Sequence, residues 1–203
     1  MIYIPHCPHK VLLLKNSPAS VTTSKISGNQ GWGIAAQDRS AMMVTDSIIS
    51  NNGLGGISLI SAVAALIGGE VSANPADGLA LSQRSALMVI GAKVSGNQGN
   101  GIKLDSSAAS VRGATISGNG GHGLILTTQS VLSLYQSTIS NNNQNGVHLE
   151  SSLASIRISQ IVNNVGYGIF ADANSTVAGY GNTVSGNGTD LSGNVPQSVT
   201  EKK

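Results

Sequence analysis

The sequence predicts an all-β protein, a right-handed single-stranded parallel β-helix (β-solenoid) of about eight coils with three short strands in each coil. Two observations lead to this prediction. One motif recurs along the 203-residue chain at intervals of 22 or 23 positions. Within each copy the apolar residues mostly alternate with other residues, which is the period of a strand and not of a helix. The composition is unusual, since aromatic residues make up 3% and charged residues 10% of a chain with 26 glycines.

Three columns of residues keep the same phase through the repeats, which read Ile-Ser-Gly-Asn-x-x-x-Gly-Ile with variations. The intervals between successive members of the asparagine column alternate between 23 and 22 positions. That column consists of Asn29, Asn52, Asn74, Asn97, Asn119, Asn142, Asn164 and Asn187. The glycine column consists of Gly33, Gly56, Gly78, Gly101, Gly123, Gly146 and Gly168. The serine column consists of Ser17, Ser40, Ser85, Ser107, Ser130, Ser152 and Ser175, with Ala62 as its one substitution.

These columns have a simple explanation if each repeat is one coil stacked on the last at about 4.8 Å. Asparagines at the same bend of every coil would then form a ladder, in which each amide donates to and accepts from its neighbours. Glycine and small residues around that bend would allow backbone angles outside the β region. The serines would satisfy backbone groups at another bend.

The three strands of a coil are predicted from pairs of inward apolar residues. In one coil they are Ile102 with Leu104, then Ala109 with Val111, and then the residue that precedes Ser-x-Asn, which is Ile116. Residues 1–25 are predicted to form a degenerate N-terminal coil or cap, in which Leu12, Leu14, Ala19 and Val21 occupy the inward columns. The β-helix proper is predicted over 26–190, and 191–203 are predicted to be a C-terminal cap or a flexible tail.

The repeated motif resembles the parallel β-helix repeats of the pectin-lyase-like superfamily over about residues 11–190. That superfamily includes pectate lyases, polygalacturonases, alginate epimerases and many surface proteins. The resemblance implies that a polysaccharide or cell-surface glycan, especially an acidic one, is the ligand to expect. It also implies an extracellular or cell-surface location. One solenoid carries many activities, so the fold alone does not name the reaction.

A first candidate surface is the outward row that lies four residues before the apolar residue of the third strand. It contains Arg112, Tyr135, Arg157 and Tyr180. Alternating guanidinium and phenol groups on successive coils could stack as cation–π pairs. Such a ridge could bind sugar rings through the tyrosines and carboxylates through the arginines. The alternative is a solvated row in which each arginine covers a tyrosine.

A second candidate set lies two and four residues after the glycine column, and it suggests catalysis. It contains Lys103, Asp105, His148, Glu150 and Asp172. Glu150 and Asp172 are expected on adjacent coils about 5 Å apart, where acids could hold Ca²⁺ as in β-helical lyases. His148 could then serve as a base near a uronate. The alternative is an ordinary polar turn after a strand.

Two further motifs predict no site. Gly121-His122-Gly123 is similar to the Gly-His-Gly of polygalacturonases, but the Asp-Asp and Asn-Thr-Asp motifs of that family do not occur, and Arg157-Ile158-Ser159 lacks its lysine. His6-Cys7-Pro8-His9 has metal-ligand residue types but no nearby fourth ligand for zinc. No metal site is predicted from the sequence, and Ca²⁺ enters only with a lyase.

Charge and hydropathy exclude several partners. The net charge is +2 and the one basic run is Lys202-Lys203, so nucleic acid is not expected as a partner. The longest apolar stretch, residues 62–69, is far too short to span a membrane. Cys7 is the one cysteine, which excludes an internal disulfide. The segment MIYIPHCPHK does not have the pattern of a secretory signal.

Three functional hypotheses remain open. The first is a non-catalytic solenoid that binds carbohydrate or serves as a surface scaffold, which the regular short coils favour because they leave no room for long groove-forming loops. The second is a polysaccharide lyase, epimerase or glycoside hydrolase that acts on acidic polysaccharide. The third is an ice-binding solenoid, for which the relevant outward row is broken: it reads Ile48, Glu70, Lys93, Thr115, Thr138, Gln160 and Thr183.

Overall fold

The structure is a computed structural model that describes residues 3–5 and 12–201, with side chains from residue 12 onward. It is all-β and contains three parallel sheets. The chain visits sheets A, B and C in turn, and each circuit of the three is one coil. The motif His6-Cys7-Pro8-His9 lies outside the described residues.

The strands are short, with three to five residues in each. Sheet A contains β1 (Tyr3–Pro5), β4 (Lys25–Ser27), β7 (Ile48–Ser50), β10 (Glu70–Ser72), β13 (Lys93–Ser95), β16 (Thr115–Ser117), β19 (Thr138–Ser140), β22 (Gln160–Val162) and β25 (Thr183–Ser185). Sheet B contains β2 (Leu12–Lys15), β5 (Ile34–Gln37), β8 (Ile57–Ile60), β11 (Leu79–Ser82), β14 (Ile102–Asp105), β17 (Leu124–Thr127), β20 (Val147–Leu149), β23 (Tyr167–Ala171) and β26 (Thr189–Gly193). Sheet C contains β3 (Pro18–Thr22), β6 (Ala41–Thr45), β9 (Val63–Ile67), β12 (Ala86–Ile90), β15 (Ala108–Arg112), β18 (Val131–Tyr135), β21 (Leu153–Arg157) and β24 (Thr176–Tyr180).

Every strand pairs in parallel with the equivalent strand one coil away, and equivalent residues face one another. In sheet A, for example, Val94 pairs with Ile116, and in sheet C Val111 pairs with Leu134. The repeat period of the sequence is therefore one step along the rod, as predicted. Residues that are one repeat apart in the chain become spatial neighbours.

The core is a narrow apolar column enclosed by the three sheets. Ile102, Leu104, Val111 and Ile116 are each 0% exposed, which confirms the inward pairs predicted for this coil. One coil of this kind buries too little apolar surface to offset the ordering of its backbone, so its stability depends on the coils stacked above and below it. In the first coil Leu14 and Val21 are buried on the same columns.

The asparagine ladder is formed at the bend between sheets A and B, and all of its members are buried except Asn187, which is partly exposed. Asn97 Nδ2 donates to Asn119 Oδ1 at 3.0 Å, and Asn119 Nδ2 donates to Asn142 Oδ1 at 3.0 Å. Asn119 Oδ1 also accepts from the backbone N–H of Asn97 at 3.1 Å. The second hydrogen of Asn119 Nδ2 goes to the carbonyl of Val94 at 3.3 Å. The amide groups thus have their hydrogen-bond partners inside the rod.

The glycine column has a different cause from the one expected. A Cβ on Gly123 would lie 2.5 Å from Ile139 Cγ2, 2.6 Å from the Gly146 carbonyl and 2.9 Å from Asn142 Nδ2. Lack of space therefore selects this column. Positive φ occurs instead at the residue directly before each ladder asparagine, as at Gly118 (64°) and Asn141 (55°). This explains why glycine or asparagine occupies that position in seven of the eight copies, with Ala73 as the exception.

The bend between sheets B and C explains why longer and shorter copies of the repeat alternate. In one set of coils a single residue has positive φ before the column serine or its substitute, as at Ser61 (50°). In the intervening coils two residues do, as at Asp38 (52°) with Arg39 (63°) and Gln83 (55°) with Arg84 (64°). The edge of the rod is therefore corrugated with a period of two coils.

Serine hydroxyls form ladders at the two other bends. At the bend between sheets B and C, Ser130 Oγ donates to the Thr127 carbonyl at 2.6 Å and accepts from the Ser107 N–H at 3.2 Å. This confirms the role predicted for the serine column. The bend between sheets C and A has a second ladder that the sequence analysis did not identify, in which the Ser24 N–H donates to Ser47 Oγ at 3.0 Å.

The C-terminal end of the rod is covered by its own chain. Strand β26 adds to sheet B through Gly193, and a 3-10 helix, η1 (Gln197–Val199), follows it. Val199 is fully buried, and its carbonyl accepts from Asn182 Nδ2 at 2.8 Å. The predicted cap over 191–203 thus contains one strand and one short helix within its described part.

Candidate functional site

The first candidate surface, the Arg-Tyr ridge, is the row of Arg112, Tyr135, Arg157 and Tyr180 at the outer edge of sheet C. The four residues pair in register on four successive coils. Arg112 Cζ lies 5.4 Å from the centre of the Tyr135 ring, which is a cation–π contact. Arg157 Nε donates to Ser155 Oγ at 3.0 Å. Both arginines are exposed, and both tyrosines are partly exposed.

The second candidate set is on the outer face of sheet B. Lys103, Ile125, His148 and Phe170 pair in register there on successive coils. His148 Nε2 lies 3.0 Å from Glu150 Oε1, so the structure brings these two predicted residues together. Lys103 is two coils away from His148, with Ile125 between them.

The two aspartates of this set are engaged elsewhere or distant. Asp172 Oδ1 accepts from the Ser151 N–H at 3.0 Å and from Ser175 Oγ at 2.5 Å. Those two hydrogen bonds, with Ser175 the stronger influence, lower the pKa of Asp172 below its usual value. Asp105 pairs with Thr127, whose coil lies between that of Asp105 and that of Glu150. Asp105 is therefore two coils away from Glu150. The set is not gathered around one point, and the catalytic role of its members stays a prediction.

A further hydrogen-bonded ladder, which we call the outer turn ladder, leads into this surface. It runs through Asp77, Asn100, His122, Asn145 and Tyr167, which occupy one variable turn position on successive coils. Each backbone N–H donates to the side chain one coil back. The distances are 2.7 Å to Asp77 Oδ1, 2.9 Å to Asn100 Oδ1, 3.1 Å to His122 Nδ1 and 2.9 Å to Asn145 Oδ1. The sequence analysis missed this ladder because its members differ in chemical type.

The direction of these bonds fixes the histidine tautomers. The Tyr167 N–H can only donate, so the atom of Asn145 that it contacts is the oxygen, and Nδ2 is the atom that lies 2.7 Å from His148 Nδ1. His148 Nδ1 therefore accepts, and its Nε2–H donates to Glu150. In the same way the Asn145 N–H donates to His122 Nδ1, so the proton of the neutral His122 ring is on Nε2.

The rings of this region are stacked along the rod. The centres of His122 and His148 are 4.6 Å apart, and those of His148 and Phe170 are 4.8 Å apart. Tyr167 lies 5.5 Å from Phe170. Burial and the neighbouring His148 lower the pKa of His122 from 6.5 to about 4, against a smaller raising effect of Glu150. His122, which the sequence analysis set aside, is thus part of a polar and aromatic cluster.

Two other sequence expectations concern metals and membranes. Among residues 12–201, no three His, Cys, Asp or Glu side chains are close enough together to hold one metal ion. In the same part of the chain no helix has the length and apolar character needed to cross a bilayer.

The row considered for ice binding is on the outer face of sheet A. Ile48, Glu70, Lys93 and Thr115 pair in register there. Lys93 Nζ lies 3.6 Å from Glu70 Oε1. The ion pair thus occupies the two coils before the first threonine of the row, and Gln160 separates Thr138 from Thr183.

Three parallel sheets wound from short coils of nearly constant length define a parallel β-helix protein. Comparison with protein families agrees, because residues 10–152 and 104–199 match the family described as "Right handed beta helix region". The chain belongs to this family, and the helix is right-handed. This family membership also supports the predicted kinship with pectin-lyase-like proteins. A search of curated proteins returned no match.

Solved structures with the same fold include two polysaccharide-acting enzymes. The pectate lyase Pel9A is 16% identical, with a TM-score of 0.72 over 99% of this chain and 68% of that one. The A-module of mannuronan C-5 epimerase AlgE6 from Azotobacter vinelandii is 18% identical, with a TM-score of 0.69 over 85% of this chain. The match spans 56% of the AlgE6 module. At these identities the likeness establishes the fold.

Proposed function

We propose that this chain is a non-catalytic β-helix module that binds acidic polysaccharide through the Arg-Tyr ridge. The observation that carries the proposal is the register of Arg112, Tyr135, Arg157 and Tyr180 on four successive coils. The Cα atoms of the two exposed arginines are two coil steps apart, about 9.6 Å. They alternate with phenol rings against which a sugar can pack. An extracellular or cell-surface location goes with this proposal.

The contacts within the ridge support binding because they hold the side chains in place before a ligand arrives. Arg112 is held over Tyr135, and Arg157 is held by Ser155. A planar guanidinium group can accept such a contact and still present N–H donors to a carboxylate. Less conformational entropy is then lost when the ligand binds.

The enzyme alternative is supported by one observation, the 3.0 Å contact between His148 and Glu150. Both ring nitrogens of His148 have partners, and the Asp172 carboxylate is bound by Ser151 and Ser175. Lys103 and Asp105 lie on other coils. We therefore favour binding over catalysis. A bound Ca²⁺ ion is expected only under this enzyme alternative.

The proposal is tested by comparing the wild type with a variant that combines Arg112→Ala and Arg157→Ala on polygalacturonate, alginate and a neutral glucan. We expect the acidic polymers to bind and the double variant to bind them at least about tenfold more weakly, since each charge-assisted hydrogen bond contributes roughly 1.5–3 kcal/mol. Isothermal titration at fixed ionic strength measures the change.

The control is the variant that combines Lys15→Ala with Lys25→Ala. It removes the same charge from two other exposed positions and should leave affinity nearly unchanged. Equal affinity of the wild type and the arginine variant would refute the ridge. Turnover of either polymer, with or without added Ca²⁺, that is lost in His148→Ala would instead establish the enzyme alternative.

A further inference from the structure

The corrugated bend between sheets B and C places two arginines on either side of a depression. Arg39 and Arg84 are the second residues of two-residue bends, and the one-residue bend at Ser61 lies on the coil between them. Two hydrogen bonds join the three bends. The Arg39 N–H donates to the Ser61 carbonyl at 2.7 Å, and the Ser61 hydroxyl donates to the Gln83 carbonyl at 3.1 Å. The shorter bend therefore forms the floor, and the longer bends form the walls.

The depression is a cleft of about 320 Å³. Its walls are Arg39 with Ser40 on one side and Gln83 with Arg84 on the other, and its floor is Ser61, Ala62 and Val63. This volume is at the lower end of the roughly 300–1,000 Å³ typical of small-ligand sites. The cleft is on a different bend from the Arg-Tyr ridge.

The guanidinium groups of the cleft have no acidic partner within residues 12–201. The lysine–carboxylate ion pairs in that part of the chain join Lys15 to Asp38 and Lys93 to Glu70, and Glu150 accepts a hydrogen bond from the His148 ring. Asp38, the acid next to Arg39 in sequence, is thus engaged by Lys15 at 3.5 Å. Both Arg39 and Arg84 are exposed, so the positive charge of both walls is available to a ligand.

We infer that this cleft, the Arg39/Arg84 cleft, binds a tetrahedral oxyanion, a sulfate or phosphate group, with both guanidinium groups donating to it at once. The Cα atoms of the two arginines are separated by two coil steps, about 9.6 Å. Two side chains of this length can therefore meet over Ser61 from opposite sides. A carboxylate offers its two oxygens to one guanidinium fork in one plane, whereas a tetrahedral group offers oxygens in several directions.

The inference is independent of the proposed function, because it concerns other residues and another anion. The ligand group could be a free ion or an ester on a small molecule such as a sugar. A free ion and an ester would differ in their contact with the floor of the cleft. The ester would also place its carbon skeleton against Ala62 and Val63.

The test is a nitrogen-15 NMR titration of the full chain with inorganic phosphate, glucose 6-phosphate and glucuronate at constant ionic strength. We expect phosphate and glucose 6-phosphate to shift the backbone amides of Ser61, Ala62 and Arg84, with apparent affinity at least tenfold higher than that of glucuronate. Tighter binding of glucose 6-phosphate than of phosphate would assign the site to an ester. Equal binding would assign it to the anionic group alone.

The decisive variant combines Arg39→Gln with Arg84→Gln and should abolish these shifts. Glutamine suits this bend, because Gln129 has the equivalent position with a φ of 62°. The variant is therefore expected to stay folded, and its spectrum reports this directly. Lys25→Gln, which removes an exposed positive charge outside the cleft, is the control and should leave the shifts intact. Unchanged shifts in the Arg39/Arg84 variant, or equal affinity for glucuronate, would overturn the inference.

Discussion

Single side chains in this rod are constrained by the direction of hydrogen bonds as well as by burial. His122 shows this clearly, because a backbone N–H of the next coil fixes its Nδ1 as an acceptor and the ring packs against His148 at a tilt of 30°. A histidine held in this way is stabilised in its neutral form. Its titration should therefore affect folding.

We predict that His122 makes the protein less stable in mild acid. Burial lowers the pKa of His122 to about 4, below its usual 6.5, so the folded state prefers the neutral ring. The contribution is complete above pH 6.5 and is lost as the pH falls through about 4. His122→Asn keeps a side-chain acceptor for the Asn145 N–H, as Asn100 does for His122.

Urea unfolding of the wild type and His122→Asn at pH 7 and pH 4.5 measures this effect. The free energy of unfolding should fall more in the wild type than in the variant over this range. Subtracting the pH dependence of the variant from that of the wild type cancels the contribution of the carboxylates, which titrate in both proteins. Parallel pH profiles would contradict the assignment.

Gly123 makes a second prediction at the residue scale. In Gly123→Ala the new methyl would overlap Ile139, Asn142 and the Gly146 carbonyl, so we expect a loss of about 1–3 kcal/mol of stability. Gly118→Asn is the matched control, because Gly118 has open space around its Cβ position and asparagine is found at the same place in other coils. It should change stability by less than about 0.5 kcal/mol. Thermal or urea unfolding separates the two outcomes.

At the scale of elements, the bends specify the fold more than the strands do. The strands are three to five residues long and could pair in other registers. The asparagine ladder penalises those registers, because a shift of one residue would leave buried amides unpaired. The ladder should therefore contribute measurably to stability.

We predict that Asn119→Leu destabilises the protein by about 1–3 kcal/mol. The substitution removes the acceptor of Asn97 Nδ2 and the donor to Asn142 Oδ1 while it keeps a side chain of similar size. Asn143→Leu, at an exposed position of the same bend, is the control and should be nearly neutral. A change near zero in Asn119→Leu would mean that the ladder contributes no net stability.

The sequence predicted the fold well because identical residues mark identical environments. Asparagine, glycine and serine columns indicated the coil length, the strand positions and the Asn97–Asn119 contact. The outer turn ladder could not be found in this way, since Asp77, Asn100 and His122 share only a hydrogen-bonding capacity. Proximity within the catalytic set was predicted from coil spacing, but the bonding of Asp172 to Ser175 depends on a rotamer that the spacing does not determine.

At the scale of the whole molecule, the corrugation means that the true structural repeat is two coils. A one-residue bend always lies beside a two-residue bend, and each fits against the other. Removing two coils therefore preserves the alternation of one-residue and two-residue bends, whereas removing one coil does not.

We predict that a chain lacking residues 75–119 folds cooperatively, because Asn74 is then followed by Asn142 at a normal ladder spacing. Its urea m-value should fall by about a fifth, in proportion to the chain removed. Deletion of residues 75–97 removes fewer contacts but brings together two one-residue bends. We therefore expect the chain with this shorter deletion to have the lower free energy of unfolding per residue retained. Equilibrium unfolding with circular dichroism compares them. The opposite order would show that the bends do not need to alternate.

The asparagine ladder and the outer turn ladder run in opposite directions, and each meets a carboxylate at one end. Asn187 Nδ2 donates to Asp190 Oδ1 at 3.0 Å, and Asn100 Nδ2 donates to Asp77 Oδ1 at 2.9 Å. An ionised carboxylate accepts but never donates, so each chain of amides stops where it meets one. The asparagine ladder consequently ends at Asp190, where its last amide donates to a carboxylate that cannot pass a hydrogen bond further toward the C-terminal end of the rod.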